Sequence, residues 1–243
     1  MAKRFLDNSD LAERINIARG QVLNTSHIHK FGAVPAMSNG TTGTIWDVND
    51  TVYPWATWAT PGVLTIPAVN ADDNGDRVIV YGLDQYYATI EEEFTLSSSG
   101  TVTGTKTFSR VYRAYYFDDT TNAGNIDIQK GGTTVARITA GKAQTLMAVY
   151  TVPAGHTGYL TQGTTSIQYG GDATINMFVR YYGQSSFRIG HTGEVAGTGM
   201  PYRYDFSVPI AIPEKSDIDI RTSVRSNNAR VTAAFDLILI RDA

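Results

Sequence analysis

The chain has 243 residues, of which 42% are hydrophobic and 18% charged, so it can bury the core of one large domain. Its formal net charge is -3 and it has no basic run, which argues against electrostatic wrapping of nucleic acid. It has no cysteine, which excludes disulfides and thiolate metal sites. There is no signal-peptide pattern, and no apolar run approaches the ~20 residues that cross a bilayer. We expect neither direct nucleic-acid binding nor membrane insertion.

Residues 1–40 differ from the rest, and we predict an N-terminal arm and connector there, followed by a body over residues 41–243. One stripe of a short helix is predicted by apolar residues at spacings of four, three and four: Leu11, Ile15, Ala18 and Val22. About three turns of helix are not stable alone in water, so this stripe must dock. It packs either on the body of the chain or on another subunit or partner.

The stretch of residues 34–50 reads as an extended connector, and a tryptophan-rich segment over residues 46–62 overlaps its end. Clustered tryptophans on an irregular, proline-broken stretch form either a corner of the core or a binding surface. In the second case Trp55 and Trp58, together with the later Tyr182, are the candidate rings facing an interface or a glycan.

The body is predicted to be organised around a hairpin over residues 144–162. Leu146 and Tyr150 lie on one face of its first strand and Met147 on the other, so that strand should be buried on both faces. Pro153 then ends the strand ahead of a tight reversal.

From Val63 onward, apolar and polar residues alternate between turn signals. Strands are predicted over 63–66, 77–83, 91–96, 105–117, 125–129, 133–138, 174–180, 217–224 and 230–240. Two of them, 174–180 and 217–224, should each have one dry and one wet face. The pattern predicts an all-β fold, an antiparallel β-sandwich of jelly-roll type with an extended or short-helical N-terminal arm and almost no helix.

The sequence offers few candidates for chemistry. His27 and His29 share a face if that stretch is extended, but no nearby carboxylate or cysteine completes a metal site. Residues 72–76 favour an ordinary turn over a calcium loop, and residues 91–93 do not identify a catalytic carboxylate pair. We predict no catalytic residue, no cofactor and no metal.

Four segments carry a resemblance to known proteins: IWDVNDTVYPWATW, LMAVYTVPAGHTGYLTQG, DATINMFVRYYGQSSFRIGH and SVRSNNARVTAAFDLILI. They resemble a group of virion structural proteins of tailed phages, notably those of marine bacteria and cyanobacteria. The similarity covers about residue 30 to the end. It implies a component of the assembled particle, built in the host cytoplasm and located in the virion. It carries over no functional residue.

Three hypotheses follow. The first is a non-enzymatic capsid decoration or cement protein, a homo-oligomer, most plausibly a trimer, whose arm binds the major capsid protein or another virion protein. The second is a tail or fibre component that binds a host glycan through exposed aromatic rings. The third is a carbohydrate-active enzyme, which requires converging carboxylates.

Overall fold

The computed structural model describes residues 10–118, 121–169, 171–197 and 201–242. Strands make up 56% of it and helices 6%, so the all-β, antiparallel prediction is confirmed. One α-helix, α1, spans Asp10–Ala18, and two short 3-10 helices span Trp55–Ala59 and Ala71–Asp73.

The strands are numbered in chain order. Their bounds are β1 Thr25–Met37, β2 Thr42–Thr44, β3 Thr65–Ile66, β4 Arg77–Asp84, β5 Thr89–Thr95, β6 Val102–Thr103, β7 Phe108–Tyr116, β8 Ile126–Lys130, β9 Thr133–Ile138, β10 Val149–Thr151, β11 His156–Gln168, β12 Asp172–Arg180, β13 Arg188–Ala196, β14 Tyr202–Ile212, β15 Asp217–Val224 and β16 Ala229–Arg241.

Nine of these strands form the jelly-roll unit. One sheet has the order β1-β16-β11-β14 and the facing sheet β10-β15-β12-β13, with β2 also paired to β15. If β2 is set aside, eight strands counted along the chain lie in the orders 1-8-3-6 and 2-7-4-5. We interpret this unit as a jelly roll, because that order builds two interlocked Greek keys. Its core includes Val34, Tyr150, Met177, Ile218 and Phe235.

The remaining strands, β3 to β9, form the inserted unit, which enters the chain between two strands of the jelly-roll unit, β2 and β10. Its sheets have the orders β6-β3-β8-β9 and β5-β4-β7. They enclose a second core that includes Trp46, Leu64, Val80, Phe108 and Ile128. The predicted body at residues 41–243 therefore contains two hydrophobic cores.

Residues 146–152 separate these two cores, and we call them the dividing segment. Ala148, Tyr150 and Val152 face the jelly-roll core, whereas Met147 and Val149 face the inserted core. The alternation of a strand sends successive side chains to opposite faces, so one segment serves both cores. The predicted burial on both faces is confirmed for these five residues, while Leu146 is only half-buried.

The hairpin predicted over residues 144–162 is wrong. The regular strand β10 covers only three residues and pairs with β15, whereas β11 lies in the facing sheet. Pro153 and Gly155, the latter with φ of 69°, turn the chain from one sheet to the other. The turn chemistry was identified correctly, but it makes a corner between sheets.

The structure also has a long strand, β1, in the stretch of residues 1–40 that we predicted to be arm and connector. β1 pairs with β16 from Thr25 opposite Ile240 to Met37 opposite Ala229. A side chain at Gly32 would place its Cβ 2.2 Å from the Ile45 carbonyl oxygen, so only glycine lets this strand approach so closely. This glycine and Pro35 hide the strand signal.

Candidate functional site

The polar face of β15 lies at the junction between the two units. We predicted a wet face for Asp217, Asp219 and Arg221, but Asp217 is 2% exposed and Asp219 0% exposed. The inserted unit and the tryptophan-rich segment cover this face. The charged residues therefore form a buried network, the junction network, where a solvated surface was expected.

Asp217 binds two arginines from different parts of the chain. Arg110 of the inserted unit donates from Nε and Nη2 to its two carboxylate oxygens, at 2.8 and 3.1 Å. Arg180 of β12 donates from Nη2 at 2.6 Å, and the Thr151 hydroxyl donates at 2.6 Å. Burial lowers the pKa of Arg110, but the bond and the charge of Asp217 outweigh it, and the net pKa is raised. Both units are thus joined by charged hydrogen bonds.

Asp219 forms the second half of the junction network. Its carboxylate accepts hydrogen bonds from Trp55 Nε1 at 2.8 Å, from the Thr44 hydroxyl at 2.7 Å and from Arg221 Nε at 2.8 Å. Burial raises the pKa of Asp219, and the nearby charge and hydrogen bonds offset only part of that rise. All three donors bind the same carboxylate, and both of its oxygens accept hydrogen bonds. The junction network therefore holds the two units in position, and it offers no free carboxylate oxygen to a substrate.

The predicted ligand-facing rings do not form a common groove. Trp55 and Trp58 are buried, because Trp55 covers Arg110 and Arg180 in the junction network and Trp58 donates to the Tyr53 hydroxyl at 3.0 Å. Tyr182 is 62% exposed. The tryptophans thus belong to the core, the first of the two alternatives.

Asp47 is a buried carboxylate beside the dividing segment. Its backbone N–H donates to the Leu146 carbonyl at 3.1 Å, and its Oδ2 accepts from Thr139 at 2.7 Å. Its Oδ1 has no hydrogen-bond partner among the described residues. Burial raises the pKa of Asp47 to about 6, against the opposing effects of the Thr139 hydrogen bond and the Arg137 charge.

This shift predicts a pH dependence of stability. The folded protein holds a proton on Asp47 that the unfolded chain releases near pH 4, so stability falls as the pH rises from about 4 to about 6. We expect the wild type to lose up to about 3 kcal/mol over that range relative to Asp47→Asn. Urea unfolding of both proteins at several pH values measures this difference in the free energy of unfolding. Parallel stability curves would contradict the assignment.

The N-terminal residues contact the body through a different residue from the one predicted. Ile17 is the one buried side chain among residues 13–24. Ile15 and Val22 are half-buried and Ala18 is exposed, while the side chain of Leu11 lies outside the described residues. The helix itself is present as predicted. Its most buried position, Ile17, falls between the predicted Ile15 and Ala18, because the spacing shows which residues share a face but not which of them meets β1.

A groove of about 730 Å³ runs between α1 and the outer face of the sheet that contains β14. It is lined by groups of both charge signs: Glu13, Arg14, His27, Arg203, Asp205 and Asp236. The sheet side of this groove is polar. Every second side chain of β16 points away from the core, and these outward side chains face the groove.

His27 and His29 do have a nearby carboxylate, contrary to our prediction. His27 Nε2 lies 3.2 Å and His29 Nδ1 2.5 Å from the same Oδ1 of Asp236. Gln162 Nε2 donates to the other oxygen, Oδ2. In the described part of the chain, no group of three or more His, Asp or Glu side chains is arranged to hold a metal ion. Sequence reasoning missed Asp236 because it lies 207 positions beyond His29.

The other acidic candidates have structural partners. Glu92 is buried and accepts from the backbone N–H groups of Thr105 and Lys106, at 2.6 and 3.1 Å. Glu91 and Glu93 point away from it and are exposed. This triplet therefore does not converge on one site as hydrolysis would require.

The turn at residues 72–76 is also structural. The Asp73 carboxylate accepts from the backbone N–H groups of Ala123 and Gly124, at 2.6 and 2.9 Å. Its two oxygens therefore hold a neighbouring loop. None of the helices described in the structure is long and apolar enough to span a membrane.

Comparison with known proteins gives no family assignment. No family model and no curated protein matches the chain. A structure of infectious bursal disease virus, strain Gt, is 10% identical over 90% of this chain and 78% of that chain, with a TM-score of 0.22. A crystal structure of the VP2 subviral particle of infectious bursal disease virus is 12% identical over 90% of this chain and 73% of that chain, with a TM-score of 0.26. At these TM-scores neither similarity supports an inference about fold or function.

Proposed function

We propose that the protein is a non-enzymatic structural protein of a tailed-phage virion. In this proposal it decorates the head and stabilises the capsid shell, and it joins the particle in the host cytoplasm. The N-terminal segment, residues 10–24, attaches it to the major capsid protein or to another virion protein, and the assembled form is a homotrimer.

The apolar surface of the N-terminal segment carries this proposal. The rest of the chain covers this apolar surface only in part, because Ile15 and Val22 are half-buried and Leu23 is 88% exposed. A helix of nine residues gains most of its stability from the surface on which it packs. Apolar side chains left uncovered at such a segment favour contact with a further protein surface.

Two further features agree with a particle component. The phrases that resemble phage virion proteins fall on structural elements, including the dividing segment and the strands β12, β15 and β16. The junction network holds the inserted unit rigidly on the jelly-roll unit. A protein that decorates a shell needs such rigidity, because it must present one fixed surface to that shell.

The glycan-binding alternative has less support. It would gain support from Trp55, Trp58 or Tyr182 exposed together in one groove, but both tryptophans are buried in the core. A single exposed tyrosine remains, and Tyr182 packs edge-on against Tyr87 with ring centroids 5.6 Å apart. We therefore favour head decoration.

Removal of residues 1–24 tests the attachment. The cut must precede Thr25, because β1 begins there. We expect the shortened protein to keep its strand-rich circular dichroism spectrum and to lose binding to particles assembled without it. In the full chain, the triple variant Ile15→Ser, Val22→Ser, Leu23→Ser should weaken binding on the order of 100-fold or more, through lost apolar contact.

Co-sedimentation with those particles measures both effects, and Arg19→Ala in the same exposed segment is the matched control. A shortened protein that binds like the full chain would overturn the attachment proposal. So would equal binding of the triple variant and the control.

A further inference from the structure

Two neighbouring sheet edges of the jelly-roll unit are open. In the described part of the chain, β14 pairs only with β11 and β13 pairs only with β12. The opposite edge of the β14 sheet differs: β1 is covered by the inserted unit, where Arg113 Nη2 donates to the His29 carbonyl at 2.5 Å. An open edge presents unpaired backbone N–H and C=O groups to any strand that fits it.

We infer that a second copy of this chain pairs with the β14 edge across a two-fold axis centred on Tyr204. An antiparallel β14–β14 pair in that register places Arg203 opposite Asp205 of the second copy, and Asp205 opposite Arg203 of the second copy. Tyr202 then lies opposite Phe206 of the second copy. The strand is thus complementary to itself in charge and in shape, as an isologous contact demands.

The two charges are available for this contact. Arg203 Nη2 lies 2.9 Å from Asp205 Oδ1 and donates to Gln162 Oε1 at 2.9 Å, and both charged side chains are more than half exposed. Exposed pairs of this kind contribute little to the stability of one chain. Between two copies they form a ring of four alternating charges, which selects the register and disfavours others.

The aromatic residues of β14 add apolar surface at the same place. Tyr202 and Tyr204 have ring centroids 6.4 Å apart, and Tyr204 and Phe206 have centroids 4.6 Å apart. Tyr204, at the centre, is 38% exposed in the single chain. A second copy would cover this ring, and tyrosine rings buried at the centre of an interface often dominate its binding energy.

The second open edge lies beside the same axis. The His191 ring of β13 packs on the Tyr204 ring with centroids 4.2 Å apart, so the two residues lie across the sandwich from each other. The pairing of β13 with β12 shifts between His191 and Ile189, so Gly190 interrupts the regular ladder of this strand. The strand-to-strand contact is therefore made by β14, and His191 of β13 supports its central ring.

The contact closes after two copies. Between Leu160 and Gln162 of β11 the pairing with β14 shifts from Ile210 to Asp205, so the regular ladder of β14 is interrupted after Asp205. Pro209 also lacks a backbone donor. Bulges and prolines end edge pairing, so residues 202–206 form a short, bounded contact that does not propagate into a filament. This two-fold contact is separate from the proposed three-fold assembly, and it closes two trimers into a hexamer when the two-fold axis crosses the three-fold axis.

Charge exchange at Arg203 and Asp205 tests the inference by light scattering on the purified full chain. We expect the wild type to contain an even number of chains. Arg203→Asp or Asp205→Arg alone places like charges opposite each other, and each should halve the mass or weaken pairing on the order of tenfold or more. An equimolar mixture of the two single variants, and separately the double variant Arg203→Asp, Asp205→Arg, should restore the wild-type mass.

Arg225→Asp, at an exposed position in the turn between β15 and β16, is the control and should leave the mass unchanged. Thermal unfolding of each variant separates lost pairing from lost folding. A wild type with an odd number of chains, single variants that pair like the wild type, or a mixture that stays dissociated would each overturn the inference. Attachment to a shell does not enter this measurement, so the two proposals fail separately.

Discussion

Replacing Asp217 with asparagine is expected to lower the free energy of unfolding by about 3–5 kcal/mol. Asparagine keeps the shape of the side chain but removes its charge. Arg110 and Arg180 would then remain in the junction network without the carboxylate that both of them bind. An uncompensated buried charge is costly, because the surrounding protein cannot replace its hydration.

The matched control is Glu93→Gln, which removes a carboxylate from an exposed ion pair. Glu93 Oε1 lies 3.7 Å from Arg77 Nη1, and both side chains are over two-fifths exposed. Such a pair contributes about 0–1 kcal/mol, so little change is expected. Urea unfolding at neutral pH compares the two variants. Equal, small losses for both would show that the junction network does not hold the units together.

Replacing Tyr150 with alanine is expected to cost about 3–5 kcal/mol, because a fully buried ring leaves a cavity that the core cannot fill. Tyr150 is 2% exposed, and its ring packs edge-on against Tyr112 of the inserted unit with centroids 5.2 Å apart. The change therefore affects both units, and we expect one cooperative unfolding transition at lower urea.

Leu146→Ala is the control within the same segment. We predicted from the sequence that Leu146 and Tyr150 are both buried, but Leu146 is only half-buried. Its replacement with alanine should therefore lower the free energy of unfolding by about 1 kcal/mol. Two separate transitions for Tyr150→Ala, or equal losses for the two variants, would contradict the role of the dividing segment.

Local pattern predicted the strands well and their surroundings poorly. β9 spans the predicted residues 133–138, and β15 the predicted residues 217–224. The alternation in β15 is also correct, yet its polar face is buried. A period of two reports which side chains share a face, but not whether a distant part of the chain covers that face.

The same limit explains the candidate sites. The position of Asp236 beside His27 and His29 follows from the β1–β16 pairing, which no local motif encodes. The helix α1 was predictable from its apolar spacing, whereas its contact through Ile17 depends on how it lies against β1. Trp55 is a core residue because it covers Asp219 and two arginines, and those partners come from β7, β12 and β15.

The most direct test of the proposed function is to locate the protein, by electron cryo-microscopy or antibody labelling, in intact particles of the kind that the proposal assigns it to. Head decoration predicts copies on the outer surface of the capsid shell, with the N-terminal segment against that shell, and their loss when residues 1–24 are removed. Copies confined to the tail or its fibres, or absence of the chain from purified particles, would contradict it.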